Sequence, residues 1–295
     1  MEIDCVYVQD CLETMANMEP ETVDLIVTSP PYAKQRDYEG MEAEKYPEWF
    51  MVFAKEIYKV LAPSGSFVLN IKEHVTKGNR DPYVFKTVLA LSTLFNWKDT
   101  YIWNKTNPFP TGSKKRLKDG FEYCFWFTKT QDYKFFPENV LIPSTSKCLE
   151  SEKRRKNNGR HDSNNSSGMK MSKRCAANDM VRPSNVITFS IDCTNHEHPA
   201  TFPLALPSFF IRLMSEPGDL VYDPFCGSGT TLIAAKELNR HYVGSEIEGK
   251  WLVPEIACKK RDTYSELSIF RLRGVCNTGY MSEGDSKLSQ VEEPT

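Results

Sequence analysis

The chain has 295 residues, 40% of them hydrophobic and 26% charged, which suits one large globular domain or one domain with a sizeable insertion. No run of 18 apolar residues occurs and MEIDCVYVQD lacks a basic segment before an apolar core, so neither a transmembrane helix nor a signal peptide is expected. The net charge of −2, taken alone, argues against a nucleic-acid partner.

That average hides an asymmetry. From Lys147 to Arg182 there are ten Lys/Arg and four Asp/Glu, a local balance of +6 that leaves about −8 on the remainder. Such a block is either a solvated loop or a phosphate-facing surface. The nine cysteines are scattered and form no C-x-x-C pair, which disfavours a disulfide framework or zinc knuckle and suits a reducing cytoplasm.

Apolar, β-rich runs alternate with helical patterns along the chain. CVYVQD (Cys5 to Asp10) reads as a strand with a short helix after it, and VDLIVTSP as a buried strand. That strand runs into TSPPY, Thr28 to Tyr32. Neither proline has a backbone donor and both fix φ at about −65°, so the chain leaves the sheet stiffly. A hydroxyl precedes the corner and an aromatic ring follows it.

PEWFMVFAKEIYKVLAPSG places Trp49, Phe50, Phe53, Ile57, Val60 and Leu61 at helical spacing, and the helix is expected to end in Pro63 and Gly65. SFVLNI (Ser66 to Ile71) is the next strand, PYVFKTVLALSTLF a helix, WKDTYIW a strand, and FEYCFWFTK (Phe121 to Lys129) an aromatic-rich strand. The pattern breaks near Pro137, and residues 143–185 are rich in Ser, Asn, Lys and Arg. It resumes with FPLALPSFFIRLMSEPG as a helix, DLVYDPF as a strand, TTLIAAKELNR as a helix and HYVGSEIE as a strand. The polar tail after Tyr280 reads as disordered, and no internal repeat is present. Strands alternating with helices predict an α/β fold with a mostly parallel sheet.

DLVYDPFCGSGTTLIAAKELNRHYVGSEIE carries the most chemistry. An apolar strand ends at Asp223, a glycine-bearing turn follows, a helix begins near Thr230, and the next strand ends with the acid Glu246. A doubly wound sheet binds a nucleoside with this layout. Gly227 and Gly229 let the backbone bend and approach a ligand, free N–H groups at the helix start favour an anion, and Glu246 is placed to accept from two ribose hydroxyls. Leu232 occupies the third position of G-x-G-x-x-G, and G-x-x-x-x-G-K-[ST] is absent, which disfavours an NTPase.

The run DPFCGSGTT, Asp223 to Thr231, resembles the cofactor loop of the S-adenosylmethionine-dependent amino-methyltransferases of DNA, and TSPPY resembles their catalytic motif. The resemblance covers roughly residues 3 to 262 apart from the basic segment, and includes Ile102-Trp103-Asn104-Lys105 and Glu122 to Phe127. TSPPY precedes the cofactor loop by nearly 200 residues, the order of the permuted β group. The resemblance implies a class I methyltransferase fold, Rossmann-like and doubly wound, with seven strands, one of them antiparallel near an edge. It divides the chain into a catalytic half (1–138), a target-recognition region (139–188), a cofactor half (189–264) and a C-terminal extension (265–295).

The resemblance also implies residue roles. Asp10 would contact the adenine of S-adenosylmethionine, Thr201 and Phe202 would wall its methionine end, and Asp223 and Phe225 would meet its amine and body. Pro224, Gly227, Ser228, Gly229 and Thr230 complete the cofactor loop, with Glu246 on the ribose. Ser29, Pro30, Pro31 and Tyr32 form the catalytic motif. An exocyclic amine is a poor nucleophile because its lone pair is delocalised into the base. Two acceptors holding its hydrogens, the Ser29 oxygen and the Pro30 carbonyl, would favour pyramidalisation, and Tyr32 would stack on the base. The base must first be flipped out of the duplex.

Double-stranded DNA is then the implied partner. Lys153, Arg154, Arg155, Lys156, Arg160, Lys170, Lys173 and Arg174 of the basic segment would reach phosphates and base edges, with Lys114, Lys115 and Arg116 as a second DNA-facing loop. Within the family, Ser before Pro-Pro-Tyr mostly accompanies cytosine and Asp or Asn adenine, so Ser29 implies N4-methylcytosine, with N6-methyladenine as the alternative. A restriction enzyme would be a functional rather than physical partner, and a monomer or homodimer is expected. An RNA or protein amine methyltransferase, or a nucleotide-binding module without catalysis, are the competing classes.

Other constellations point elsewhere less well. Cys193, His196 and His198 have irregular spacing and no fourth ligand nearby, so no metal is expected. Cys226 does not follow a proline, as the nucleophile of carbon-5 cytosine methylation does, and reads as a packing residue. Ser29 has no evident His/Asp partner for a hydrolase triad. Glu73 and His74, after the SFVLNI strand, either line the pocket or, the commoner reading, are surface polar residues.

Overall fold

The computed structural model describes residues 1–33, 42–110, 114–144, 180–191 and 202–247. In chain order the elements are β1 (Cys5–Tyr7), α1 (Cys11–Ala16), β2 (Val23–Thr28), α2 (Tyr46–Val60), β3 (Leu61–Ile71), the hairpin β4 (Val75–Thr76) and β5 (Asn79–Arg80), and α3 (Tyr83–Leu91). Then follow β6 (Asn96–Lys105), β7 (Phe121–Thr128), β8 (Ile142–Pro143), β9 (Met180–Val181), β10 (Val186–Phe189), α4 (Ala205–Met214), β11 (Leu220–Asp223), α5 (Thr230–Glu237) and β12 (His241–Ser245).

Eight strands form one sheet in the order β1-β12-β11-β2-β3-β7-β6-β10. All neighbours are parallel except the two pairs that β7 makes, with β3 and β6. The sheet thus has one strand more than the seven expected. The addition is β10, which pairs parallel to β6 at the outer edge and buries Ile187.

Apolar side chains fill both faces. On one face Met15 of α1, Phe50, Phe53 and Ile57 of α2, and Val84 and Val88 of α3 pack on Ile26, Phe67 and Phe127. On the other, Leu206, Phe210 and Ile211 of α4 and Leu232 and Ala235 of α5 pack on Leu25, Val68 and Val221. A sheet with helices on both faces is the doubly wound arrangement. Each fully buried side chain of this kind contributes about 1.5–3 kcal/mol of transfer free energy.

One local expectation changes. The α2 helix stops at Val60, and Leu61 is already extended (φ −67°, ψ 130°) and paired with Val23. The next β2 pair, Leu25 with Ser66, lies beyond a register shift, so Ala62 to Gly65 bulge out of the ladder. Pro63 and Gly65 therefore serve a bulge and not a helix end. Gly65 is required there, since a Cβ would lie 3.0 Å from the carbonyl oxygens of Ala62 and Asp24.

The topology fixes where a ligand can sit. From β2 the chain steps to β3 on one side; from β11 it steps to β12 on the other. The switch point lies between β11 and β2, and crevices outside the carboxyl ends of strands at such points hold ligands. TSPPY and the glycine turn both leave the sheet there. Among the described residues no helix is long and apolar enough to cross a membrane.

Candidate active site

The acids and hydroxyls singled out in the sequence fall in a row along one edge of the sheet. Asp10 follows β1, Glu246 follows β12, Asp223 ends β11, and Ser29 follows β2. The ends of β1, β12 and the glycine turn are tied by backbone bonds, Glu246 N–H to the Tyr7 carbonyl at 3.1 Å and Cys226 N–H to the Ser245 carbonyl at 3.0 Å.

The turn has the shape its glycines allow. Gly227 and Gly229 have φ of 54° and 91°, in the left-handed region, and Gly229 caps α5. The Gly227 N–H donates to Glu246 Oε2 at 2.9 Å. Ser228 is buried with its Oγ 3.3 Å from Thr230 Oγ1. The turn also packs against β12, where a Cβ on Gly244 would come within 2.9 Å of Cys226 Sγ. Burial raises the Cys226 thiol far above its ordinary value, so it is an inert packing group and not a nucleophile.

Asp223 is the electrostatic centre of the site. It is only 1% exposed. Its Oδ1 accepts from Thr28 Oγ1 at 2.6 Å and from the Phe225 N–H at 3.1 Å, and its Oδ2 accepts from Thr231 Oγ1 at 2.7 Å. None of these three partners is a cation. Desolvation therefore outweighs the hydrogen bonds and pushes the carboxyl up to about 6. The Thr28 bond joins residues 195 positions apart and ties the end of β2 to the end of β11. Thr28 and Thr231 carry no role in the sequence reading, because a strand-end threonine gives no signal until its partner is known.

Asp10 is buried and caps α1, its Oδ1 accepting from the Leu12 N–H at 2.8 Å. Pro224 is buried. Phe225 is half-buried and meets Phe53 edge-on with ring centroids 5.3 Å apart. Phe202 packs on the core under α4. Thr201 lies outside the described residues, as do Cys193, His196 and His198.

At the TSPPY corner, the Pro31 carbonyl accepts from the Tyr46 hydroxyl at 3.0 Å, which pins the corner to α2. Among the described residues no donor reaches the Pro30 carbonyl. Ser29 Oγ lies 3.1 Å from the Tyr32 hydroxyl, which lies 3.1 Å from Glu122 Oε2 and 3.4 Å from Asn70 Oδ1. Glu122 and Lys105 stood in segments matching the family but without a role. The contact of Glu122 with Tyr32 depends on β7 lying beside β3.

Of the expected DNA-facing groups, Lys114 and Lys115 are exposed. Arg116 donates to Asp119 at 2.9 Å, beside Arg80 at 2.6 Å and Lys72 at 3.1 Å. Desolvation opposes ionisation of Asp119, but Lys72 and Arg80 win and hold its carboxyl below the usual range. Lys153, Arg154, Arg155, Lys156, Arg160, Lys170, Lys173 and Arg174 lie outside the described residues, as does the C-terminal extension. Glu73 is buried and paired with Arg80 at 3.2 Å, and so is not a surface group.

A fully buried carboxylate with no cation among its described partners, beside backbone N–H groups and two further acids, suits a ligand that carries both a positive charge and a ribose. The residues present therefore fit S-adenosylmethionine.

Comparison with known proteins agrees with this geometry. Residues 23–252 match the N6/N4 family described as DNA methylase. The chain is 31% identical over 274 residues to the Type II methyltransferase M.PvuII of Proteus hauseri, covering 84% of this chain and 81% of that one. It is 32% identical over 237 residues to the orphan methyltransferase M.BamHII of Bacillus amyloliquefaciens, covering 78% and 86%. The solved structure of PvuII DNA methyltransferase (cytosine-N4-specific) superposes with a TM-score of 0.65 at 26% identity, covering 91% of this chain and 90% of that one. With TSPPY and the glycine turn side by side on one sheet edge and the family match over residues 23–252, this chain belongs to the N6/N4 DNA methylase family.

Proposed function

We propose that the chain transfers a methyl group from S-adenosylmethionine to the exocyclic N4 amine of cytosine in duplex DNA. The observation that carries this reading is the Thr28–Asp223 bond of 2.6 Å, which places the acceptor-bearing corner directly beside the glycine turn. Support for cytosine comes from Ser29 at the head of the corner and from the cytosine-N4-specific PvuII enzyme.

When bound, S-adenosylmethionine supplies an electrophilic methyl on a sulfonium. The residues of the chain do the rest. Asp223 faces the cofactor's positive charge, Glu246 and Asp10 take the ribose and adenine ends, and Gly227 lets the backbone approach. Pro224, Phe225, Ser228 and Thr230 shape the turn, with Thr201 and Phe202 on the methionine side. Ser29 Oγ and the Pro30 carbonyl would accept hydrogen bonds from the two amine hydrogens, which brings the nitrogen lone pair forward for in-line displacement; as the nitrogen takes the methyl and the sulfur keeps the electron pair of the broken S–C bond, one amine hydrogen leaves as a proton to solvent. Pro31 stiffens the corner, and the ring of Tyr32 lies against the flipped base. Protection of host DNA from a cognate restriction enzyme would follow from the mark, in the cytoplasm, by a monomer or homodimer.

Incubating unmethylated mixed-sequence duplex DNA with methyl-labelled cofactor and digesting to nucleosides is expected to place the label in N4-methylcytosine. Label only in N6-methyladenine would overturn the base assignment, and no label in DNA the whole proposal.

The basic segment is assigned to DNA in the same proposal, on the strength of its +6 charge in an otherwise acidic chain. Neutralising Lys153, Arg154, Arg155 and Lys156 together is expected to weaken DNA binding and to reduce the slope of log K against log salt by about 3–4, since each lost phosphate contact removes about 0.9. An unchanged slope removes the segment from the phosphate interface.

A further inference from the structure

A buried ion pair stands behind the clamp. Lys105 ends β6, Glu122 sits near the start of β7, and their Nζ and Oε1 are 2.5 Å apart with side chains only 10% and 11% exposed. Taking two charges out of water costs more than a hydrophobic pair of the same volume, so such a pair is weak evidence for stability. Its other carboxylate oxygen is turned to the site: Glu122 Oε2 is 3.1 Å from the Tyr32 hydroxyl, which is 3.1 Å from Ser29 Oγ.

A phenol has one hydrogen to give. Glu122 Oε2 at 3.1 Å and Asn70 Oδ1 at 3.4 Å compete for it. The charged acceptor is the closer, and bonds to ionised groups are the stronger. Asn70 is held by its own amide, which donates to the Tyr123 carbonyl at 3.0 Å. Burial, then the negative charge of Glu122, drive the Tyr32 phenol well above its ordinary value, so it stays protonated and must donate. With that hydrogen committed to Glu122, the phenol oxygen offers Ser29 only lone pairs. Ser29 is then the donor of the pair, and its own lone pairs are left for a third group.

We propose that Glu122, held by Lys105, is a positioning residue that sets the direction of the Ser29 hydroxyl through Tyr32, so that Ser29 meets the target amine as an acceptor. The inference rests on the amine-clamp function above. Without Glu122 the phenol hydrogen can turn to Ser29, which would then point its own hydrogen towards the amine hydrogens.

The test is a double-mutant cycle on the single-turnover methylation of unmethylated mixed-sequence duplex DNA. Glu122→Ala is expected to slow methyl transfer by about tenfold in the wild-type background, with cofactor affinity unchanged by calorimetry. Glu122→Gln, which keeps an acceptor for Tyr32, is expected to recover most of that loss. In a Ser29→Ala background there is no hydroxyl to direct, so the effect of Glu122→Ala is expected to vanish. A loss that persists undiminished without the Ser29 hydroxyl overturns the proposal. Should Glu122→Ala fail to fold, Glu122→Leu removes the acceptor while filling the space, and the same cycle with Ser29→Ala decides. Failure of the wild-type chain to label DNA would sink the function itself; additivity in the cycle sinks only the positioning role.

Discussion

Replacing Ser29 with alanine is expected to lower the single-turnover methylation rate about 10²–10³-fold, the typical cost of removing one preorganised polar contact to a transition state. The affinity for S-adenosylmethionine is expected to stay as it was. Ser29 lies on the β2 side of the switch point, whereas Asp10, Asp223, the glycine turn and Glu246, assigned to the cofactor, follow or end β1, β11 and β12, and Thr201 and Phe202 precede α4. The lost contact matters most as the amine pyramidalises, when its hydrogens become more acidic and the acceptor holds them more strongly. The substitution therefore acts on the transition state and not on ground-state binding. Serine at this position is half-buried and is held by a hydroxyl–hydroxyl contact, so the loss does not threaten the fold. Stopped-time sampling with enzyme in excess over DNA sites gives the rate, and calorimetry the affinity. Equal losses in both would relocate Ser29 to the cofactor site.

Asp223→Asn is expected to weaken S-adenosylmethionine binding about 100-fold near neutral pH, within the range for removing one partner of a buried charge pair. It is also expected to erase a pH dependence. In the ligand-free wild type the Asp223 carboxyl is pushed up to about 6, with desolvation as the main cause. A bound cation favours its ionised form and lowers that value. Binding thus releases a proton below about pH 6, and cofactor affinity is expected to rise with pH up to about 6 and level off above it. The asparagine variant has no proton to release and a flat profile over the same window.

The same shift makes a stability statement. An unfolded aspartate titrates at about 3.9. The folded-state value is the higher one, so the folded protein holds the proton more tightly. Its contribution to stability is full below about pH 4 and is lost as pH rises through about 6. Thermal unfolding of ligand-free protein across that range should show the stability of the wild type falling relative to that of the Asp223→Asn variant as pH rises. A wild-type affinity that falls as pH rises from 5 to 7 would reverse the assignment of Asp223 to a cationic ligand.

The sequence by itself determined the two loops and the class of fold. TSPPY is legible because a proline pair fixes its own backbone within a few residues, and the glycine turn because Gly227 and Gly229 adopt φ values of 54° and 91° that other residues resist. The α/β alternation is legible for the same reason, since strand and helix periods repeat over short windows. Tertiary structure alone decided what those loops touch. Gly65 looks like a helix stop in sequence, yet it serves a bulge because Leu61 pairs with Val23 across the sheet. The Thr28–Asp223 bond spans 195 positions, and the Tyr32–Glu122 contact spans 90. Both exist because sheet order brings β11 beside β2 and β7 beside β3. Strand order is chosen by burying two apolar faces under helices at once, a condition on the whole chain, and local steric preference carries no record of it.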